Sequence, residues 1–269
     1  MPEAGPRLGF IGAGRVGGGL AAAFSQLGCQ VGTAGRNAHE QASVVAAADI
    51  VFLTVPDDAI AELCGSLPWR AGQAAVHCSG ACDLAVLAAA RRRGAAVGGF
   101  HPLHMFLAGE RPELRGCAVA IEAEGELHAR LLALVERLGA RPLRIPPGGR
   151  AAYHAAAHYA GPFIAAGLAE ACAIWERLGI APADALAALL PLARGSLDTI
   201  GRAGPAGAMA GSVARGDVGT IARHLEALGA MGDGSRELYR QLALRSVPLG
   251  EAQGRLPADR VAAMRQVLR

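Results

Sequence analysis

The sequence predicts an α/β fold, with a mostly parallel sheet in residues 1–148 and an all-helical domain in residues 149–269. Three observations predict it. Short apolar runs alternate with Ala-rich helical stretches from Arg7 to Ile145. A glycine-spaced turn joins the first run to the first helix. Strand-like runs then cease after Pro146-Pro147-Gly148-Gly149, a cluster that neither a helix interior nor a central strand absorbs. Strands that alternate with helices of this length imply right-handed crossovers, so neighbouring strands run parallel.

In chain order, the expected strands are 8–11, 30–34, 50–55, 74–77, 95–100, 118–121 and 142–145, each a short apolar run bounded by turn formers. The helices between them are 15–27, 38–47, 58–66, 82–93 and 125–138, where apolar residues recur at helical spacing. Beyond the boundary near Gly148, residues 151–178, 183–194, 196–202, 218–230, 234–243 and 257–268 read as helices. Pro162 predicts a kink in the first of these.

Composition narrows function. Hydrophobic residues make up 52% of the 269, enough for a large core, while aromatics are only 4%, so that core is built of small aliphatics. The formal charge is only +3, and the longest basic run is Arg91-Arg92-Arg93, which gives no case for nucleic-acid binding. All 26 basic residues are Arg. A chain without Lys excludes Schiff-base and pyridoxal-phosphate enzymes, P-loop NTPases and protein kinases, each of which needs a Lys at its centre. The Met1–Arg7 segment has no apolar core of a signal peptide, and the uncharged stretches 16–35 and 151–169 read as buried helices with flanking structure, not as membrane spans. The six cysteines form no CxxC pair, so reduced thiols and a cytoplasmic location are expected.

The most informative motif is Gly12-Ala13-Gly14-Arg15-Val16-Gly17, a G-x-G-x-x-G that follows a strand and opens a helix. Gly12 makes the tight turn, Gly14 lets a pyrophosphate reach the backbone, and Gly17 lets the helix lie close to the sheet. Arg15 and Val16 open that helix, whose free N–H groups favour an anion. The expectation is therefore a Rossmann dinucleotide-binding domain. At the end of the second strand, where an NAD site carries Asp or Glu, the sequence reads Gly35-Arg36-Asn37. Arg36 can clamp a ribose 2′-phosphate and Asn37 can add a bond, which points to NADP(H); a surface Arg that merely starts a helix is the plainer alternative.

Ligands of such sheets bind at the C-terminal strand ends. Three ends carry polar groups: Val55-Pro56-Asp57-Asp58, His77-Cys78-Ser79-Gly80 and His101-Pro102-Leu103-His104. Each has a structural explanation too: Asp57 or Asp58 most simply caps the next helix, Ser79 reads as an N-cap as well, His77 as a satisfied core imidazole, and Cys78 and Cys82 as small core residues. The helical domain opens with Tyr153-His154, and His158 shares a face with His154. No Glu follows the first His and no third ligand stands nearby, so no metal site is expected. Asp217 reads as a cap, and Arg215 either clamps a carboxylate or pairs with a surface acid.

Taken in order, these segments with Ala214-Arg215-Gly216-Asp217 resemble bacterial two-domain proteins that join a Rossmann-like domain to a C-terminal domain of unknown function (type 2520). The resemblance covers nearly the whole chain. It extends to the superfamily of 6-phosphogluconate dehydrogenase, ketopantoate reductase and pyrroline-5-carboxylate reductase, and the N-terminal half also resembles F420-dependent NADP reductases. It implies an NADP-linked oxidoreductase whose helical domain supplies substrate contacts and a homodimer interface. Ala160-Gly161-Pro162 and Ala210-Gly211-Ser212 depart from the family pattern, and the Lys of several superfamily members is missing. The expected activity is NADPH-dependent reduction of the C=O of a small anionic keto substrate, a 2-keto acid of the ketopantoate kind included. Reduction of C=N and a non-catalytic NADP(H) sensor are the rivals. His154 ranks first as proton donor, then His101, then Tyr153, while Ser79 and Arg215 orient the substrate.

Overall fold

The computed structural model describes residues 5–146 and 148–269. Residues 1–4, part of the N-terminal segment that lacks an apolar core, and Pro147 of the boundary cluster lie outside the described residues. The chain divides into two compact units, Met1–Gly161 and Pro162–Arg269.

The first unit is a seven-stranded sheet in the order β2-β1-β3-β4-β5-β6-β7. Its strands are β1 (Leu8–Ile11), β2 (Val31–Ala34), β3 (Ile50–Leu53), β4 (Ala74–His77), β5 (Ala96–Pro102), β6 (Ala118–Glu122) and β7 (Arg141–Arg144). Among the described residues only the β5–β6 pair is antiparallel, so the sheet is mostly parallel, as the alternation predicts. Every residue of β1, β3 and β4 is buried, the continuous apolar pattern of strands covered on both faces. β7, at the free edge, is exposed along its length.

Helices α1 (Arg15–Gln26) and α5 (Gly125–Arg137) cover one face; α2 (Ala38–Ala47), α3 (Ile60–Ser66) and α4 (Ala88–Arg92) cover the other. The first face holds four of the six phenylalanines: Phe10 stacks on Phe52 with centroids 4.8 Å apart, Phe100 meets Phe52 edge-on at 5.5 Å, and Phe24 closes the group. A chain short of aromatics concentrates them where a parallel pair of strands sets Phe10 opposite Phe52. α5 presents Leu127, Leu131, Leu134 and Val135 to the same face at helical spacing. The second face is packed by Ile11, Val51, Leu53, Ile60, Leu87 and Trp69.

The stretch expected as one helix over 151–178 is two. α6 (Arg150–Ala160) ends at Gly161, whose φ of −129° and ψ of −93° are not helical, and Pro162 starts α7 (Pro162–Arg177) as a helix-initiating proline. α6 belongs to the sheet unit, held by bonds from Arg150 and Tyr153 described below.

The second unit contains α7, α8 (Pro182–Gly207), α9 (Gly211–Arg215), α10 (Val218–Met231), α11 (Asp233–Glu251) and α12 (Ala258–Val267). The two helices expected over 183–202 form one, because a single interior Gly195 costs only about 1 kcal/mol and does not stop a long helix. That helix breaks at Gly204, where φ is 72°. α9 was not expected, and α11 runs on past 243 through Pro248. Val213, Ile221, Leu225, Val247, Val261 and Met264 from α9 to α12 make the core. α7 has no buried residue and α8 only Ala185, although α7 is rich in Ala and α8 in Ala and Leu. Among the described residues no helix is long and apolar enough to cross a membrane.

Candidate functional site

The glycine turn is built as its spacing demands. Gly12 has a φ of 107°, and a Cβ there would lie 2.7 Å from the Thr54 carbonyl oxygen. A Cβ on Gly17 would strike the Gly12 carbonyl and the Thr54 hydroxyl, so α1 can approach the turn only with glycine at that place. Thr54 straps the turn: its hydroxyl donates to Gly12 O at 2.8 Å. Gly14 is the opposite case. Nothing stands within 4 Å of where its Cβ would be, and it caps α1 without a side-chain bond. The first turn of α1, with Arg15 exposed and Val16 half-buried, carries no acid. Open space beside unclaimed N–H groups at a helix N-terminus is the shape that a pyrophosphate fits.

At the end of β2, Arg36 is exposed and no acid stands beside it before Glu40. Asn37 caps α2, its Oδ1 accepting from His39 N at 2.9 Å and Glu40 N at 3.2 Å. That leaves its amide nitrogen as the donor end. Past β3, Val55 is half-buried and Pro56 and Asp57 are exposed. Neither Asp57 nor Asp58 caps a helix: the 3-10 turn that they open has Pro56 before it and no side-chain cap bond.

At the ends of β4 and β5 a second group assembles within the same unit. His101 Nδ1 lies 2.8 Å from the Tyr153 hydroxyl, and the His101 ring meets those of Tyr153 and His154 edge-on at 5.6 and 5.7 Å. His154 in turn meets His158 at 4.7 Å. Gly80 makes this approach possible, since a Cβ there would stand 2.5 Å from His154 and 2.9 Å from His101 Nε2. Ser79 is buried and its Oγ accepts from Ala81 N at 3.1 Å and Cys82 N at 3.0 Å, which closes a turn and caps no helix; the next helical turn, Leu84–Leu87, is capped by Asp83 instead. Burial pushes His101 down to about 4, with His154 and Arg150 adding to the effect, and pushes Tyr153 up to about 12. Both are therefore neutral at pH 7.

His77 is fully enclosed and, contrary to the expectation of a satisfied imidazole, neither ring nitrogen has a partner among the described residues. Burial pushes it down to about 4 as well. Arg150, 5% exposed, was missed in the sequence. Its Nε donates to Cys82 O at 2.6 Å and its Nη2 to Ser79 O at 3.3 Å, and it pairs with Glu122 at 3.3 Å. The available signal was its place as the one charge opening an otherwise uncharged helix.

Arg215 lies elsewhere, in the second unit. It ends α9, exposed, and lines a pocket of about 440 Å³ with Arg255, Gln253 and Leu256. Asp217 caps α10 through Thr220 N at 3.0 Å. Among the described residues no group of three His, Cys, Asp or Glu is arranged to hold a metal.

These features define a class of fold, a Rossmann dinucleotide-binding domain followed by a helical domain. Solved structures share it. Protein TM1727 from Thermotoga maritima is 20% identical with a TM-score of 0.74, over 92% of this chain and 100% of that one. The candidate NADP oxidoreductase BF3122 from Bacteroides fragilis is 22% identical with a TM-score of 0.71, over 91% and 98%. An imine reductase from Pseudomonas sp. is 17% identical with a TM-score of 0.60, over 98% and 100%. At these identities the likeness is one of fold. More particularly, residues 117–246 match the model of a domain of unknown function, DUF2520. Both findings agree with the resemblance read from the sequence. No curated protein sequence matches the chain.

Proposed function

We propose that the chain is an NADPH-dependent reductase of the C=O group of a small anionic substrate. The observation that carries this reading is the pairing, in one unit, of the open Gly14 turn after β1 with the His101–Tyr153–His154 group at the end of β5, on the same C-terminal side of the parallel strands. Gly12, Gly14, Arg15, Val16 and Gly17 hold the pyrophosphate. Arg36 and the Asn37 amide nitrogen hold a 2′-phosphate, and Val55, Pro56 and Asp57 flank the nucleotide. The bound cofactor supplies hydride.

This chain's own residues supply the proton. Tyr153, held protonated, donates to His101 Nδ1, so Nε2 of the neutral ring carries the hydrogen and faces the space that Gly80 leaves. That N–H polarises the substrate heteroatom, and His154, edge-on to His101, delivers the proton. Ser79 has its hydroxyl hydrogen left to donate. Arg215, beside Arg255, offers a carboxylate two guanidinium groups.

One observation favours a second reading, reduction of C=N. Neutral His101 and Tyr153 are weak acids, and an iminium substrate, already charged, needs less proton donation. The ordered polar group speaks against a mere NADP(H) sensor. A homodimer through α7 and α8 is part of the proposal, since α7 buries nothing by itself and Leu192 of α8 is 69% exposed.

The test is titration of the protein with NADPH and with NADH, followed by cofactor fluorescence. NADPH binds preferentially, and Arg36→Ala weakens it about 10- to 150-fold, the loss of one charge-assisted bond, while sparing NADH. Absence of binding by either nucleotide refutes the reading; equal losses for both remove Arg36 from it. Oxidation of bound NADPH by keto acids or by cyclic imines then separates the two chemistries.

A further inference from the structure

Among the described residues, four buried side-chain atoms have no hydrogen-bond partner: both ring nitrogens of His77, Nη1 of Arg150, and Oε2 of Glu122, the last held only by its ion pair with Arg150 Nε at 3.3 Å. They are neighbours by construction. His77 of β4 stands opposite Gly99 of β5, and Gly99 stands opposite Glu122 of β6, so the three positions form one row on one face of the sheet. Gly99 contributes no side chain. The guanidinium of Arg150 occupies its place: a Cβ on Gly99 would lie 2.5 Å from Arg150 Nη2 and 3.4 Å from His77 Cε1. His101, two residues along β5, is on the same face.

A guanidinium this deeply buried is costly, and an aliphatic side chain would fill the space without orphaned nitrogens. Its bonds are directed to two carbonyls of one turn, Ser79 O and Cys82 O, from the first residue of α6. One turn further along α6 stand Tyr153 and His154.

We propose that Arg150 is a positioning residue: by pinning the start of α6 to the Ser79–Cys82 turn, it sets the Tyr153 hydroxyl on His101 Nδ1 and so decides which ring nitrogen of His101 carries the proton. Its meaning for catalysis rests on the reductase reading; its geometry does not. The titratable and charged groups around His101 are Arg150, Tyr153 and His154 of α6, His77 of β4, and Asp57 after β3. Arg150 and burial act in the same direction on the ring, so charge and position must be separated by experiment.

The experiment is long-range proton–nitrogen NMR of the histidine rings in the protein without nucleotide, with His101 assigned by His101→Gln. In the wild type His101 is neutral with the hydrogen on Nε2 at pH 7. Arg150→Met and Gly99→Ala, the latter displacing the guanidinium by one methyl group, mix the two tautomers and raise the His101 midpoint by about one pH unit. Arg150→Lys keeps the charge but cannot fork to two carbonyls, and does not restore the wild-type spectrum. An unchanged His101 signal in Arg150→Met, or full rescue by Arg150→Lys, overturns the proposal. Should Arg150→Met fail to fold, Gly99→Ala decides alone. NADPH affinity is measured beside it in the wild type: failure to bind refutes the reductase reading and leaves the control of the His101 tautomer by Arg150 standing.

Discussion

Acidifying the protein from pH 7 to pH 5 is expected to cost the sheet unit about 3.6 kcal/mol of stability. His77 and His101 are both pushed down to about 4 from the ordinary 6.5, chiefly by burial. The folded pKa is below the unfolded one, so the unfolded chain takes up protons first as pH falls. The stability associated with the neutral rings is thus complete above the unfolded value and drains away between 6.5 and 4. Linkage from pH 7 to pH 5 gives about 1.8 kcal/mol for each ring, and about 3.6 for the two, both of which stay neutral in the folded protein at pH 5. Carboxylates held low by their partners, such as Asp49 beside Arg7, lose their contribution only at lower pH, as they protonate. The assay is urea unfolding followed by Trp69, which is buried with its Nε1 donating to Cys64 O at 2.7 Å. Trp175→Phe silences the tryptophan of the second unit. Equal stability at both pH values refutes the reasoning, as does an undiminished loss in His77→Gln/His101→Gln.

The same geometry makes three more outcomes measurable. Gly14→Val, entering open space, leaves the melting temperature unchanged while blocking NADPH; Gly17→Ala, forced against Gly12 and Thr54, lowers both, and calorimetry with nucleotide titration separates them. His154→Ala cuts turnover by about 10²–10⁴ with NADPH affinity intact; full turnover would reduce His154 to a packing residue. Light scattering on a sizing column is expected to give twice the chain mass, and Leu192→Asp with Leu197→Asp to halve it; a wild-type monomer would remove the dimer.

What could be read in advance was what is local. The Gly12–Gly17 spacing is dictated by one turn's φ and by two close approaches, and both leave a mark in adjacent residues. The mostly parallel sheet followed from the alternation of elements, and His101, Tyr153 and His154 stood out as polar residues at a strand end and near a helix start, although their meeting could not be read from the spacing. Arg150 was not legible. Its partners lie at 79, 82 and 122, and no period or motif joins a helix start to carbonyls that far away. Nor was the closing of the Ser79 turn separable from substrate contact, because one hydroxyl suits both. The helix ends in the second unit were misjudged where interior glycine or proline was given more weight than a long helix concedes.

The exposed strand β7 has a consequence for how the protein behaves in a crowded solution. An open strand edge is a template on which another chain can add a strand and begin an aggregate. β7 reads Arg141-Pro142-Leu143-Arg144 and is exposed throughout. The two guanidinium groups repel a second copy of the same edge, and Pro142 brings no N–H to a foreign ladder. An incoming strand would have to bury charge for fewer hydrogen bonds than a ladder normally yields. The sheet is geometrically unfinished at this rim and chemically closed to growth.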